Sequence, residues 1–200
     1  MMKTKYIATP ILFFSLLILT GFLVRPATAA ETYNVDPVHS YILFRVKHLD
    51  IGYSYGRFND PSGTFVFDDS SPANSSIEMQ VKAGDLDTYV PKRDNHLKSA
   101  DFFDVEQHPL IAFKSSSIKK IGDDTYEVAG DLSLRGQTRP ITVEVRQIGA
   151  GKDPWGNYRR GFETSFTIKR SEFGMDFMLN GLSDEVNLTV SVEGIRQEPK

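Results

Sequence analysis

Four histidines (His39, His48, His96 and His108) and 26 carboxylates are the groups in this sequence with the chemistry to ligate a metal or move a proton. None stands at ligand spacing such as His-x-x-x-His, and a chain without cysteine has no thiolate site to offer. The Walker loop and the dinucleotide-binding glycine pattern are absent as well. The sequence therefore reads as a non-enzyme without cofactor or metal. A second use of the polar residues is recognition. Arg93 and His96 share one short segment, and His48 closes an alternating run, so this cation and these imidazoles can receive a phosphate or carbonyl-type oxygen. The competing role for Arg93 is an ion pair with Asp94 or Asp101 that fastens the segment in place. His39, three residues after Asp36, suits a hydrogen bond at the entry to a strand.

The elements that position these groups follow a period of two. In the run 41–48, Ile42, Phe44 and Val46 alternate with Arg45 and Lys47. Further runs follow at Thr64 to Phe67, Ile77 to Val81, Ile111 to Phe113, Tyr126 to Leu134, Ile141 to Val145, Phe162 to Ile168 and Val186 to Val192. Turn residues such as Gly122-Asp123-Asp124 and Arg135-Gly136-Gln137 separate them. This makes an all-β fold of eight antiparallel strands, open to a sandwich or a closed barrel. Between Lys82 and Pro109 the connection is too long for a hairpin. Pro91 sits where a first helical turn begins, so a short helical excursion is expected between the third and fourth strands. Strand parity turns Phe44, Val46, Phe65, Phe67, Met79, Val81, Phe113, Leu132, Leu134, Phe166, Ile168, Leu188 and Val190 inward, and His48 with them. Such a face either fills a barrel or lines a tunnel. The turn-rich stretch Phe173 to Leu179 and the pair Phe102-Phe103 are apolar enough to cover an opening.

Residues 1–29 carry Lys3 and Lys5, the apolar stretch from Ile11 to Val24, and Ala27-Thr28-Ala29, a small-x-small cleavage signal. They read as a secretory signal peptide cut after Ala29, with one domain over 30–200. Removing them leaves 20 basic and 26 acidic side chains, net −6, which argues against a nucleic-acid partner. The absence of cysteine shows that an exported fold here dispenses with disulfides.

Several strings in order carry a family likeness. They are Asp36-x-x-His39-Ser40-x-Ile42-x-Phe44-x-Val46-x-His48, Gly56-x-Phe58, Gly63-x-Phe65, and Arg93-Asp94-x-His96-Leu97 ending in Asp101-Phe102-Phe103-Asp104. Residues 130–140, from Gly130-Asp131-Leu132 to Thr138-Arg139-Pro140, and Asp153-Pro154-Trp155-Gly156 complete it. Over essentially the whole mature length the chain resembles the YceI-like polyisoprenoid-binding proteins. The resemblance implies a lipocalin-like extended barrel, a tunnel for a long isoprenoid or quinone-like lipid, a periplasmic location and transient membrane contact. It leaves a homodimer open. A periplasmic enzyme acting on an isoprenoid or quinone-type substrate and an interaction module with a filled barrel are the alternatives. Strands of about ten residues tilted by ~40° give a barrel ~25 Å tall, so an octaprenyl tail must bend or protrude.

Overall fold

The computed structural model describes residues 1–2 and 30–198. The expected signal segment, residues 3–29, lies outside them. The described strands are β1 (Glu31–Val35), β2 (Tyr41–His48), β3 (Gly52–Phe58), β4 (Ser62–Phe67), β5 (Ser76–Lys82) and β6 (Leu86–Asp87). After the helix α1 (Pro91–Lys98) come β7 (Leu110–Lys120), β8 (Thr125–Leu134), β9 (Gln137–Lys152), β10 (Tyr158–Lys169) and β11 (Leu182–Arg196).

These segments build eight ring strands. β1 and β2 form one strand interrupted at 36–40, and both lie along β11: Val35 is opposite Gly194 and Tyr41 is opposite Ser191. β3 and β4 form the next, broken at 59–61, because β3 pairs with β2 while β4 pairs with β1. β5 and β6 make the third, kinked by a 3-10 turn at Ala83–Asp85. The order β5-β7-β8-β9-β10-β11 continues the meander, and the β1–β11 pairing closes an eight-stranded antiparallel barrel. The helical excursion falls between the third and fourth ring strands, as the long connection requires.

Two seams interrupt the wall towards one end. Beyond Phe58 and Arg57, β3 pairs with no further strand on its β6 side among the described residues. β9 likewise leaves β10 after Arg146 pairs with Glu163, although the Thr164 hydroxyl still donates to the Glu144 carbonyl at 2.7 Å. Pro140 lies in the departed half of β9, where a missing N–H costs no ladder bond. Leu97 and Phe103, from α1 and the turn after it, pack against the cluster Phe58, Val81 and Leu86 and cover the first seam.

The core divides by height. At the complete end of the barrel, Tyr33, Phe65, Phe67, Ile118, Tyr126, Val128 and Val145 pack tightly. At the interrupted end, Leu132 and Leu134 pack with Phe173 and Met175, which come from the loop after β10.

Candidate functional site: an apolar cavity with one closed end

Between the two clusters runs a cavity of about 250 Å³. Every residue that parity turned inward lines it except His48: Phe44 and Val46 on β2, Phe65 and Phe67 on β4, Met79 and Val81 on β5, Phe113 on β7, Leu132 and Leu134 on β8, Phe166 and Ile168 on β10, Leu188 and Val190 on β11. Many are only half-buried although they point inward, because one side of each faces open space. An apolar cavity of ~150 Å³ is already large enough to stay dry and take a benzene-sized guest. Close approach shapes the wall. Gly56 sits opposite Phe44, and a Cβ there would meet the Phe44 ring at 2.3 Å. Gly130 does the same for the Phe113 ring, at 2.6 Å.

The closed end has an aromatic floor. Tyr33 stacks on Phe65 with ring centroids 4.8 Å apart, and Phe67 meets Tyr126 edge-on at 5.3 Å. Beneath them lies Arg160, 4% exposed. Its two Nη atoms donate to the Asp69 carboxylate at 2.8 and 2.7 Å, Nη1 also donates to Gln147 at 3.0 Å, and Nε donates to the Tyr33 hydroxyl at 3.3 Å. The guanidinium lies 4.4 Å from the Phe67 ring centre. Burial disfavours this charge, yet the Asp69 pair and the Tyr33 contact hold the Arg160 pKa above its ordinary value. Burial, together with the hydrogen bond to Glu31, pushes the Tyr33 hydroxyl up to about 12.

Near this end, outside the cavity, the other polar motif residues form a knot. Arg159 donates to Asp36 at 2.6 Å, to Asp153 at 2.7 Å and to Glu193 at 2.6 Å. His39 Nδ1 lies 2.8 Å from Asp36, the strand-entry contact expected from sequence. Burial alone would raise the Asp36 pKa, but His39 and Arg159 bring it down to about 2. The ligand atoms of Asp36, His39 and Glu193 lie within 4.8 Å of one another, a spacing that suits a metal. Arg159 already fills that role as a cation bonded to two of the three, so the arrangement is an ion-pair junction of β1, β10, β11 and the 153–157 turn.

The other end is the mouth. Arg170, 4% exposed, continues the inward parity of Phe166 and Ile168 and is the one cationic residue among those lining the cavity. Among the described residues it meets no carboxylate within salt-bridge distance. Nε donates to the carbonyl of Ser183 at 2.9 Å, Nη1 to those of Met175 at 2.7 Å and Phe177 at 2.8 Å, and Nη2 to that of Leu182 at 2.9 Å. Burial lowers its pKa. Arg135 joins the two covering segments, donating to the carbonyls of Gly174 and, at 2.6 Å, Ala100. Phe102, Phe103 and Met175 line the cavity from above. Phe177, Met178 and Leu179 turn outward beside Leu49 and Ile51 of the β2–β3 hairpin, leaving an exposed apolar rim. Leu49 N–H donates to the Gly181 carbonyl at 2.8 Å and holds these tips together.

The three polar residues singled out from sequence do not line the cavity. His48 is exposed at the end of β2, because the hairpin carries that strand past the rim. Arg93 pairs with neither Asp94 nor Asp101; its Nε donates to the Thr88 hydroxyl at 2.8 Å and its Nη2 to the Thr88 carbonyl at 2.6 Å. Asp94 accepts from the Thr88 N–H at 2.9 Å, so α1 is fastened through buried Thr88. His96 contacts Asp101 at 2.8 Å and packs edge-on against Phe102 and Phe177, which ties α1 to the loop 173–181. Arg170 is the cationic wall residue that sequence reasoning passed over, and parity from Phe166 and Ile168 was the signal for it.

Residues 52–56 read Gly-Tyr-Ser-Tyr-Gly, the Gly-x-Ser-x-Gly spacing of a nucleophile elbow. Here they form an extended strand and not a strand-turn-helix, and Ser54 makes no hydrogen bond to a histidine among the described residues. The string has the spacing of a hydrolase motif without its geometry.

Residues 33–194 match the family model of the YceI-like domain. A UPF0312 protein of Pectobacterium atrosepticum is 42% identical over 173 residues, 86% of this chain and 90% of its own. Among solved structures, BcnA of Burkholderia cenocepacia superposes with a TM-score of 0.73 at 24% identity, covering 80% of this chain and 98% of that one. A domain from Saccharophagus degradans, named as polyisoprenoid-binding and implicated in plant cell wall breakdown, gives 0.64 at 13% identity, over 82% and 98%. Those two likenesses establish the eight-stranded barrel, while the match along 33–194 and the 42% identity say more: the chain belongs to the YceI-like family.

Proposed function

We propose that this protein is exported, loses residues 1–29, and holds the tail of a long isoprenoid or similar lipid in its barrel as a periplasmic carrier or reservoir. The observation that carries the reading is the apolar cavity, closed by the Arg160 floor and reached from a mouth with an apolar rim. The polyisoprenoid-binding description of the Saccharophagus domain supports the same ligand class.

Geometry and energetics set its terms. Lining residues on β11 run from Leu182 to Val192, a rise of ~33 Å along the strand and ~25 Å along the axis at a ~40° tilt. An extended isoprene unit advances ~5 Å over four carbon–carbon bonds of ~1.5 Å, so about five units fit straight and a longer tail bends or emerges. Transfer from water would yield roughly 0.8 kcal/mol per CH₂. The true competitor is a bilayer as apolar as the cavity, so the net preference is small and exchange in both directions is possible. The rim residues Leu49, Ile51, Phe177, Met178 and Leu179 would touch the membrane during that exchange. An arriving head group would meet Arg170, four of whose five N–H groups are already bonded, so one remains for a ligand oxygen.

Solvent extraction of protein purified from the exported fraction, followed by mass spectrometry, tests this. A long-chain lipid near one per chain is expected. Protein that is folded, empty and unable to take up a prenyl lipid from vesicles would overturn the carrier.

A further inference from the structure

β2 turns Ile42, Phe44 and Val46 into the cavity, so Tyr41, Leu43, Arg45 and Lys47 stand on the outer wall. Across the β2–β3 ladder, Lys47 is opposite Tyr53, Arg45 opposite Tyr55 and Leu43 opposite Arg57. On the β11 side, Arg45 is opposite Asn187, Leu43 opposite Thr189 and Tyr41 opposite Ser191. Tyr89, just after β6, borders the same face, with the Arg57 guanidinium 5.9 Å from its ring centre. Tyr41, Tyr53, Tyr55 and Tyr89 are 49%, 48%, 56% and 75% exposed, and Leu43 is 43% exposed. One wall thus shows four tyrosines and a leucine to solvent.

The charges of this wall are one-sided. Its outward positions hold Arg45, Lys47 and Arg57 and no carboxylate. Two acids reach it from the border, and both are paired with its own cations: Asp50 with Lys47 at 3.0 Å and Asp87 with Arg57 at 3.3 Å. Arg45 meets no carboxylate among the described residues. Its Nε donates to Asn187 Oδ1 at 3.2 Å, and its guanidinium lies 4.6 Å from the Tyr53 ring centre. In a chain of net charge −3 this face therefore keeps an unneutralised cation among aromatic rings. On the opposite wall the row Glu78, Lys114 and Asp131 alternates in sign across β5, β7 and β8.

Tyrosine, with an apolar ring and a polar tip, suits the boundary of a bilayer, and arginine beside it suits lipid phosphate. The β2–β3 hairpin makes the face continuous with Leu49 and Ile51 of the rim. We infer that the protein docks side-on to an anionic phospholipid surface through this face, an inference that rests on the carrier reading for its purpose. Arg45 takes a lipid phosphate, the tyrosine rings lie at head-group level, and the mouth meets the bilayer obliquely. Contact through the rim alone has a shorter reach. Leu43 is opposite Arg57, six residues beyond Ile51, which is ~20 Å along the strand and ~15 Å along the barrel axis. The polar zone of one leaflet is only ~5–7 Å deep, so a barrel standing upright on its rim keeps Leu43 in water.

A chain without native cysteine accepts one dye at a chosen site. An environment-sensitive fluorophore is attached to Ile51→Cys at the rim, Leu43→Cys on the face or Lys114→Cys on the opposite wall. Each protein is mixed with phosphatidylcholine vesicles with or without phosphatidylglycerol. With phosphatidylglycerol the Ile51 and Leu43 sites should brighten and the Lys114 site should not, and neutral vesicles should give a weaker response. Arg45→Gln should weaken binding to the anionic vesicles about fivefold at low salt. Brightening at Ile51 alone would show upright contact and overturn side-on docking while the carrier stands. A Leu43 dye already shielded without vesicles, equal brightening at all three sites, or unchanged binding of Arg45→Gln would also overturn the inference. Protein that docks side-on yet yields no lipid on extraction would sink the carrier and keep the docking face.

Discussion

Phe166→Arg separates a tunnel from a filled core. Phe166 stands midway along the cavity, opposite Leu188 on β11, half-buried with open space before it. In a filled interior an unpartnered guanidinium costs several kcal/mol, enough to unfold a protein of ordinary stability. Here the cavity of about 250 Å³ has room for several waters at ~30 Å³ each, so the cation hydrates and the cost should fall to ~2 kcal/mol. A lipid tail would have to expel that water and bury the charge. The same several kcal/mol then moves from folding to binding, a loss of at least ~100-fold in affinity. Circular dichroism and urea denaturation would report the fold, and extraction of protein incubated with prenyl-loaded vesicles would report the cargo. Phe166→Leu should keep cargo within a few-fold, and Ser165→Arg, on the outer face, should keep it fully. A folded Phe166→Arg protein with wild-type lipid content would refute the reasoning, because Phe166 would then not face the bound tail.

Gly56→Val brings a Cβ to within 2.3 Å of the Phe44 ring; overpacking of this kind should destabilise the fold by ~1–3 kcal/mol in urea and narrow the cavity. Asp36 and Asp153 are both held near 2 by hydrogen bonds from Arg159 and their other partners, against the desolvation that opposes them. Because these pKa values are depressed in the folded state, their stabilisation is present above the ordinary carboxylate range near 4 and is lost as pH falls towards 2. The melting temperature should therefore drop over that window, and drop less in Arg159→Met. Mass measurement of the exported protein should show Ala30 at its start; a chain retaining residues 1–29 in the membrane fraction would remove the soluble carrier. Arg135→Ala unlinks Gly174 from Ala100, so it should speed lipid exchange with vesicles and amide exchange at 173–181 while leaving the closed end protected.

Much of this fold was legible because a period of two is a strong signal wherever one face is apolar. β2, β5, β8 and β10 alternate clearly, and their parity gave the cavity wall. β1, β3 and β6 escaped notice for different reasons: Thr32 and Asn34 dilute the pattern of β1, glycine and outward tyrosine hide β3, and two residues are too few for β6 to show at all. Parity failed at His48, where the strand outruns the cavity, since alternation says which way a side chain turns and not how far the barrel extends. The partner of Arg93 was illegible for another reason. Nearby opposite charges suggested Asp94 or Asp101, but Thr88 stands between: its hydroxyl oxygen and carbonyl accept from the Arg93 guanidinium, while its N–H and hydroxyl donate to the Asp94 carboxylate.

The two ends of the barrel are fastened by different chemistry, and this difference bears on how a cargo could enter. At the closed end Arg159 and Arg160 are bonded to carboxylates, Arg160 through both Nη atoms to Asp69. A guanidinium bonded to a carboxylate adds the attraction of two opposite charges to the charge-assisted hydrogen bond itself. At the mouth Arg135, Arg139 and Arg170 hold the covering segments through backbone carbonyls, which lack the opposing charge. Three bulky residues with left-handed backbone, Leu49 (φ 52°), Tyr89 (φ 66°) and Met178 (φ 56°), also belong to the hairpin, the approach to α1 and the loop 173–181, conformations that cost about 1 kcal/mol or more each. Opening the mouth breaks carbonyl contacts that water can replace. Opening the floor would strand Arg160 beneath aromatic rings. The cheaper local opening is therefore at the apolar rim, where the lid segments can part without disturbing the ring of strands that forms the wall.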